Sequence, residues 1–308
     1  MDTAAVPSGA QWTIAADGHE ATIVEVGGGV RAYHADGGEV LYGFAADELC
    51  PGSAGQILTP WPNRIRDGQY TFDGETYQLA LSEPSRNNAI HGLVNWARWR
   101  LVEAGPAALT IEHDLVPQPG YPWPLRLRVT WSVSVDGLRA EHEVTNIGTR
   151  SAPFGLCVHP YVHVPGVPVD DLVLTVPAHS RLLADSRLLP IGAARVAGTD
   201  FDYSEGRKVG TTVLDTAFGD LDLSPDGRSE VHIEATDGRG VAVWADAAFT
   251  WWQVFTSDTL HGPRLRQSVA IEPMTCPPDA FRSGRNLVTI EPGGQWRGSW
   301  GIRPIVAA

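Results

Sequence analysis

The chain has 308 residues, of which 36 are acidic and 23 basic, for a formal net charge of −13. That balance repels polyanions and leaves no basic stripe to track a phosphate backbone, so nucleic acid is excluded as the expected partner. With 43% hydrophobic and 19% charged residues the chain can bury a large core, and a disordered reading fails.

No apolar run reaches the roughly 18 residues of a membrane-crossing helix. The start MDTAAVPSGAQW lacks the basic and apolar regions of an export signal. The expectation is a cytoplasmic protein with no membrane partner.

Turn chemistry divides the chain into short segments. Asp-Gly occurs at 17, 36, 67, 73, 136, 226 and 237, and the pair supplies the positive backbone angles that two-residue hairpins demand. Gly27-Gly28-Gly29 lacks the Lys-Ser/Thr and the helix of a phosphate-cradling loop. Residues 70–81 read as two short strands about Asp73-Gly74. Residues 125–135 (LRLRVTWSVSV) alternate with period two before Asp136-Gly137 returns the chain through 138–144. The acidic stretch 200–210 has the least pattern and reads as an exposed excursion. Segments 231–235 and 241–245 repeat the hairpin pattern across Asp237-Gly238-Arg239-Gly240. In the strand expected over 249–255, Trp251, Gln253 and Phe255 share one face while Trp252 and Val254 share the other.

Gly or Pro interrupts most windows that could form a long amphipathic helix. There is no fixed-period repeat and no Pro/Ser-rich linker. The chain is therefore expected to be all-β, a large antiparallel β-sandwich forming one domain over 1–308, with little helix.

Three segments carry polar residues that a core or a turn explains poorly: Pro60-Trp-Pro-Asn-Arg-Ile65 with Asn88-Ala-Ile-His-Gly92, Phe154-Gly-Leu-Cys-Val-His-Pro-Tyr161, and Ala270-Ile-Glu-Pro-Met274. His159 ends a short apolar run at Pro160, which marks a strand's rim, and an imidazole suits proton transfer near neutral pH. Glu272 lies in an apolar run, where a carboxylate must be paired or have its pKa raised. Arg64 and His91 flank an expected hairpin and would supply hydrogen-bond donors. Asp215 reads as a turn residue or as an acceptor for a sugar hydroxyl. Taken singly, each also fits a structural role. Of the 11 tryptophans, Trp251 beside Gln253 is the one expected to present a face to a sugar ring.

Cys50, Cys157 and Cys276 form no Cys-x-x-Cys pair, so a disulfide framework is excluded. Cys157 and Cys276 lie close in sequence to the candidate residues, which leaves a functional thiol open, with a small buried hydrophobe the favoured reading. His159 and His163 are four apart, but Pro160 forbids the helix that would align them on a metal. No metal and no cofactor are expected.

Taken together and in this order, these segments resemble the aldose 1-epimerase (galactose mutarotase) family from about Gly55 to Pro304. Asn63-Arg64-Ile65 followed by Ile90-His91-Gly92 is similar to the family's Asn-Arg-Ile to Leu-His-Gly block. His159-Pro160-Tyr161 resembles its His-x-Tyr segment, Asp215-Thr-Ala-Phe218 its Asp-x-x-Phe, and Ile271-Glu272-Pro273 its Glu-Pro strand. The chain departs from the pattern at Trp61-Pro62, where many members carry Gly-Arg-Val, and at Pro160 in place of Ser. The resemblance implies a β-supersandwich fold, a small sugar as substrate and no cofactor. It further implies His159 as general acid, Glu272 as general base, and Arg64, His91 and Asp215 as sugar-binding groups. Alternatives are a non-catalytic sugar-binding protein on the same scaffold, an epimerase for a phosphorylated or sulfonated sugar, and a glycoside-active enzyme using paired carboxylates.

Overall fold

Five of the seven Asp-Gly pairs close hairpins between strands that pair with each other, at 17, 36, 73, 136 and 237. The computed structural model describes residues 6–307. At Asp17-Gly18, Asp36-Gly37 and Asp73-Gly74 both residues take positive φ, the type I′ geometry whose twist matches that of the flanking strands. Asp67-Gly68 instead turns a corner between Arg64–Arg66 and Gln69–Phe72, which do not pair with each other.

The strands gather into two large sheets. One has nine strands in the order Arg100–Ala104, Ala108–Leu115, Leu125–Ser134, Gly137–Asn146, Gln295–Ile305, Gly240–Asp246, Arg228–Glu234, Val173–Thr175 and Arg207–Lys208. The other has eight, with Asp215–Leu221, Trp251–Phe255, Val269–Met274 and Cys157–Val158 adjacent at its centre. Period-two alternation turns Leu125, Leu127, Val129, Trp131 and Val133 inward from the first sheet. They join one buried cluster with Phe218, Trp252, Val254 and Ile271 from the second. Burial of each such side chain is worth about 1.5–3 kcal/mol, which makes the inter-sheet layer the main source of stability. Helix is limited to the single α-helical turn Ala280–Ser283 and short 3-10 turns among the described residues.

The opposite face of the eight-stranded sheet is different. Two small apolar clusters lie on it, one around Leu58, Cys157, Trp251 and Met274, the other around Phe44, Tyr161 and Ala270. Between them runs a band of polar side chains, the buried Gln253, Glu272 and His159 with the half-buried Asp215.

One expectation needs correction. Residues 200–210 are not simply an exposed excursion: Tyr203 and Val209 are buried, and Arg207–Lys208 form an edge strand against Val173–Thr175. Two apolar side chains so widely spaced show no strand period, so the segment's inward contacts were invisible in its pattern.

Candidate active site

Strand register assembles the polar band. Gln253 lies directly opposite Glu272, and Ala217, two residues beyond Asp215 on the same face, lies opposite Gln253. His159 falls in the break between Cys157–Val158 and Tyr161–Val162, both of which pair with Val269–Met274. Pro160 has no N–H to donate, but its carbonyl still accepts from Ile271 N at 3.2 Å. The chain therefore stays docked while the His159 ring turns toward Glu272.

Arg64 and His91 arrive from a separate ribbon, in which Arg64 opposes Ile90. His91 takes a φ of 64° and its N–H donates to Asn63 O at 2.9 Å. The following Gly92 has a φ of 71° and packs so closely on Thr59 that a Cβ would meet that backbone at 2.1 Å. Only glycine permits this turn, and the turn aims the imidazole into the site.

These residues line a cleft of about 210 Å³ that holds Arg64, His91, His159, Asp215 and Glu272, with Tyr161 and Phe255 as its aromatic walls. The His159 Nε2 and Glu272 Oε1 atoms stand 3.4 Å apart. The Tyr161 ring stacks on His159 at 4.9 Å, and its hydroxyl donates to Gly52 O at 3.0 Å, fixing the imidazole plane. His91 meets His159 edge-on at 5.7 Å. Arg64 donates from Nε and Nη2 to both oxygens of Glu83, at 2.9 and 3.0 Å, a carboxylate that also accepts from Arg86 Nη1 at 2.9 Å.

Burial governs the titration of the cleft. Desolvation raises Glu272 to about 8, assisted by the negative charge of Asp215 and opposed by the Cys157 thiol and Arg64. It lowers His159 to about 4. His91 is held well below its ordinary value by burial first, then by the neighbouring His159 and Arg64. Burial also raises Asp215, against the pull of Arg64 and Gln253. Near neutral pH the His159–Glu272 pair accordingly holds one proton, which belongs to the pair rather than to either group.

Of the seven residues expected to contact substrate or do chemistry, five lie on this cleft and two do not. Trp251 is 2% exposed and its Nε1 donates to Asn286 Oδ1 at 3.1 Å. It borders a separate depression beside Arg285. It does share a strand face with Phe255, but four residues of strand amount to about 13 Å, so Phe255 reaches the cleft and Trp251 does not. Gln253 sits behind Asp215, donating from Nε2 to Asp215 Oδ1, and lines a narrow recess rather than the cleft. Trp61 and Trp252 are core residues as well.

Two contributors escaped the sequence reading. Glu83 lies 19 positions from Arg64 with nothing in its surroundings to mark it. Cys157, where the sequence favours a small hydrophobe over a functional thiol, points its thiol at Glu272 Oε2 at 3.3 Å. The available signal was its position two residues before His159.

Comparison with known proteins shows the family of the chain. The family described as aldose 1-epimerase matches residues 10–303. The chain belongs to the aldose 1-epimerase family. A protein of Escherichia coli K12 designated YihR is 33% identical over 287 residues, which is 93% of this chain and 90% of that protein. The galactose mutarotase of Sus scrofa is 28% identical over 166 residues, 51% of this chain and 46% of that enzyme. Among solved structures, a galactose mutarotase-like protein of Clostridium acetobutylicum superposes with a TM-score of 0.84 at 21% identity, covering 95% of this chain and 94% of that one. A galactose 1-epimerase of Lactobacillus acidophilus gives a TM-score of 0.79 at 18% identity, covering 96% and 95%. These two establish a shared aldose 1-epimerase fold. Among the described residues no helix is long and apolar enough to cross a membrane.

Proposed function

We infer that this protein interconverts the α and β anomers of a neutral aldohexose by opening and reclosing the ring. The observation that carries the reading is the 3.4 Å separation of His159 and Glu272, both buried at the floor of the cleft. The C1 hydroxyl and the ring oxygen are bonded to one carbon, so an acid and a base standing side by side reach both. Glu272 takes the proton from the C1 hydroxyl as His159 gives one to the ring oxygen. The C1–O5 bond breaks to an open aldehyde, C1 turns about its bond to C2, and reclosure on the other carbonyl face returns both protons. No atom is gained or lost, and no redox partner is required.

The roles need the pair's single proton on the imidazole when sugar is seated, whereas the empty cleft favours it on the carboxyl. Sugar hydroxyls donating to the Glu272 carboxylate supply that shift. Positioned groups of this kind contribute about 10²- to 10⁴-fold in rate. Glycoside hydrolysis would need the cleft's two carboxylates, Asp215 and Glu272, on either side of a bond, about 5 Å or more apart, whereas the group set against Glu272 at 3.4 Å is the His159 imidazole, an acid/base pair of two residue types.

A neutral sugar is favoured over a phosphorylated or sulfonated one because Arg64 is the one arginine, and there is no lysine, among the described residues on the cleft. Glu83 pairs with it, though the same carboxylate also pairs with Arg86. An added anion would find Arg64 as its one cationic partner among the described residues on the cleft, with the Asp215 carboxyl beside it.

Polarimetry on freshly dissolved α-glucose and α-galactose is expected to show equilibration well above the blank, with phosphorylated and sulfonated hexoses slower. A blank rate across neutral aldoses contradicts the reading. The one-proton pair further predicts a bell-shaped pH dependence. Rate falls on the acid side as His159 gains a proton near pH 4, because both groups are then filled. It falls on the basic side as Glu272 loses its proton near pH 8, because none is left to give. A basic limb at the ordinary carboxylate value instead would show that the carboxyl is not buried as described.

A further inference from the structure

We propose that Cys157 is a positioning residue for this reaction, its thiol holding one oxygen of the Glu272 carboxylate so that the other faces His159 and the sugar. The proposal rests on the anomer-interconversion reading and adds to it a residue that touches no substrate.

Cys157 and His159 are two positions apart, the first on the strand Cys157–Val158 and the second in the break that follows it, and both side chains reach Glu272. Across from them, Glu272 offers two oxygens. Oε1 faces His159 Nε2 at 3.4 Å and Oε2 faces Cys157 Sγ at 3.3 Å. Both ends of the carboxylate are thus referenced to one three-residue run of chain, which fixes its rotation about the terminal bond. Among the described residues no other donor reaches Oε2.

The thiol is fully buried and is absent from the cleft lining, so it acts through the carboxylate and not on the sugar. Its proton has two acceptors in range, Glu272 Oε2 and Val158 O, each at 3.3 Å. An ionised carboxylate outcompetes a neutral carbonyl, so the S–H swings to Glu272 when the base is charged. Burial, with the charge of Glu272 behind it, keeps the thiol protonated well beyond its ordinary range, so the donor persists at every pH at which the enzyme would work. Without it, a buried anion would keep an unpaired oxygen.

The test compares Cys157→Ala with Cys157→Ser. Alanine is expected to lower kcat about ten-fold, the worth of one hydrogen bond to a charged group. It should leave KM within about two-fold and move the basic limb of the pH profile upward by about one unit, since the ionised form loses a donor. Serine, whose hydroxyl also donates, is expected to restore kcat and the limb. Alanine and serine variants that both fold and both keep the wild-type kcat and limb overturn the proposal.

A second readout does not depend on turnover. The infrared S–H stretching band of Cys157, assigned by difference against Cys157→Ala, is expected to move to lower frequency as Glu272 ionises and to stay fixed with pH in Glu272→Gln. A pH-independent band in the wild type overturns the contact itself. A moving band in a protein that equilibrates no aldose keeps the contact and removes the mutarotase reading.

Discussion

Glu272→Gln is expected to reduce the catalysed rate of anomer interconversion by about 10³-fold while the protein stays folded and still binds sugar. Glutamine keeps the shape of the side chain, and its carbonyl can still accept from the Cys157 thiol, but it cannot take a proton from the C1 hydroxyl. Saturation-transfer NMR between the two anomers measures the rate directly, and titration of sugar by calorimetry measures the binding. Near-wild-type turnover would move the base to another residue, with Asp215 next in line.

The same substitution should stabilise the fold. The unfolded chain releases the Glu272 proton near 4.5 and the folded chain only near about 8. Between these values the unfolded state holds fewer protons, so stability falls as pH rises. Glutamine has no proton to lose. Its melting temperature should therefore gain on the wild type progressively from pH 5 to pH 8, with little difference at pH 4. A melting difference that does not change with pH would mean that Glu272 is not held neutral by burial.

His159→Asn is the second large effect, a loss of about 10²- to 10³-fold with a changed pH profile. Asparagine can hydrogen-bond the ring oxygen but cannot protonate it. Because the acid limb arises from a second proton entering the pair at His159, that limb near pH 4 should disappear, and the fall near pH 8 should turn into a rise as Glu272 ionises, since the carboxylate then acts alone, as base. His91 is a poor substitute, since burial and its neighbours hold it uncharged. Blank-corrected initial rates from pH 4 to pH 9 read both features, and persistence of the acid limb would assign it to a different group.

The architecture was legible in the sequence because it is written in short-range chemistry. Asp-Gly pairs mark hairpins, and the alternation in residues 125–134 marks a strand with one buried face. The identities of His159 and Glu272 were legible for a related reason: each is a costly residue in an apolar run, and cost asks for a partner. What pairs with what was not legible. Glu83 claims Arg64 across 19 positions and Cys157 claims Glu272 across 115, through registers that only the assembled sheets define. Trp251 misled because strand alternation gives the face on which a side chain lies but not its position along that face. Phe255, on the same face four residues later, occupies the cleft instead. Residues 200–210 misled in the opposite sense, since a segment can bury Tyr203 and Val209 without any regular pattern.

The central claim is that one acid and one base act together on two oxygens attached to a single carbon. A crystal structure with galactose or glucose bound tests it most directly. The account predicts the C1 hydroxyl within hydrogen-bond reach, about 2.5–3.2 Å, of the Glu272 carboxylate, and the ring oxygen within the same reach of His159 Nε2. A sugar seated in the cleft with its anomeric carbon turned away from both side chains would contradict it.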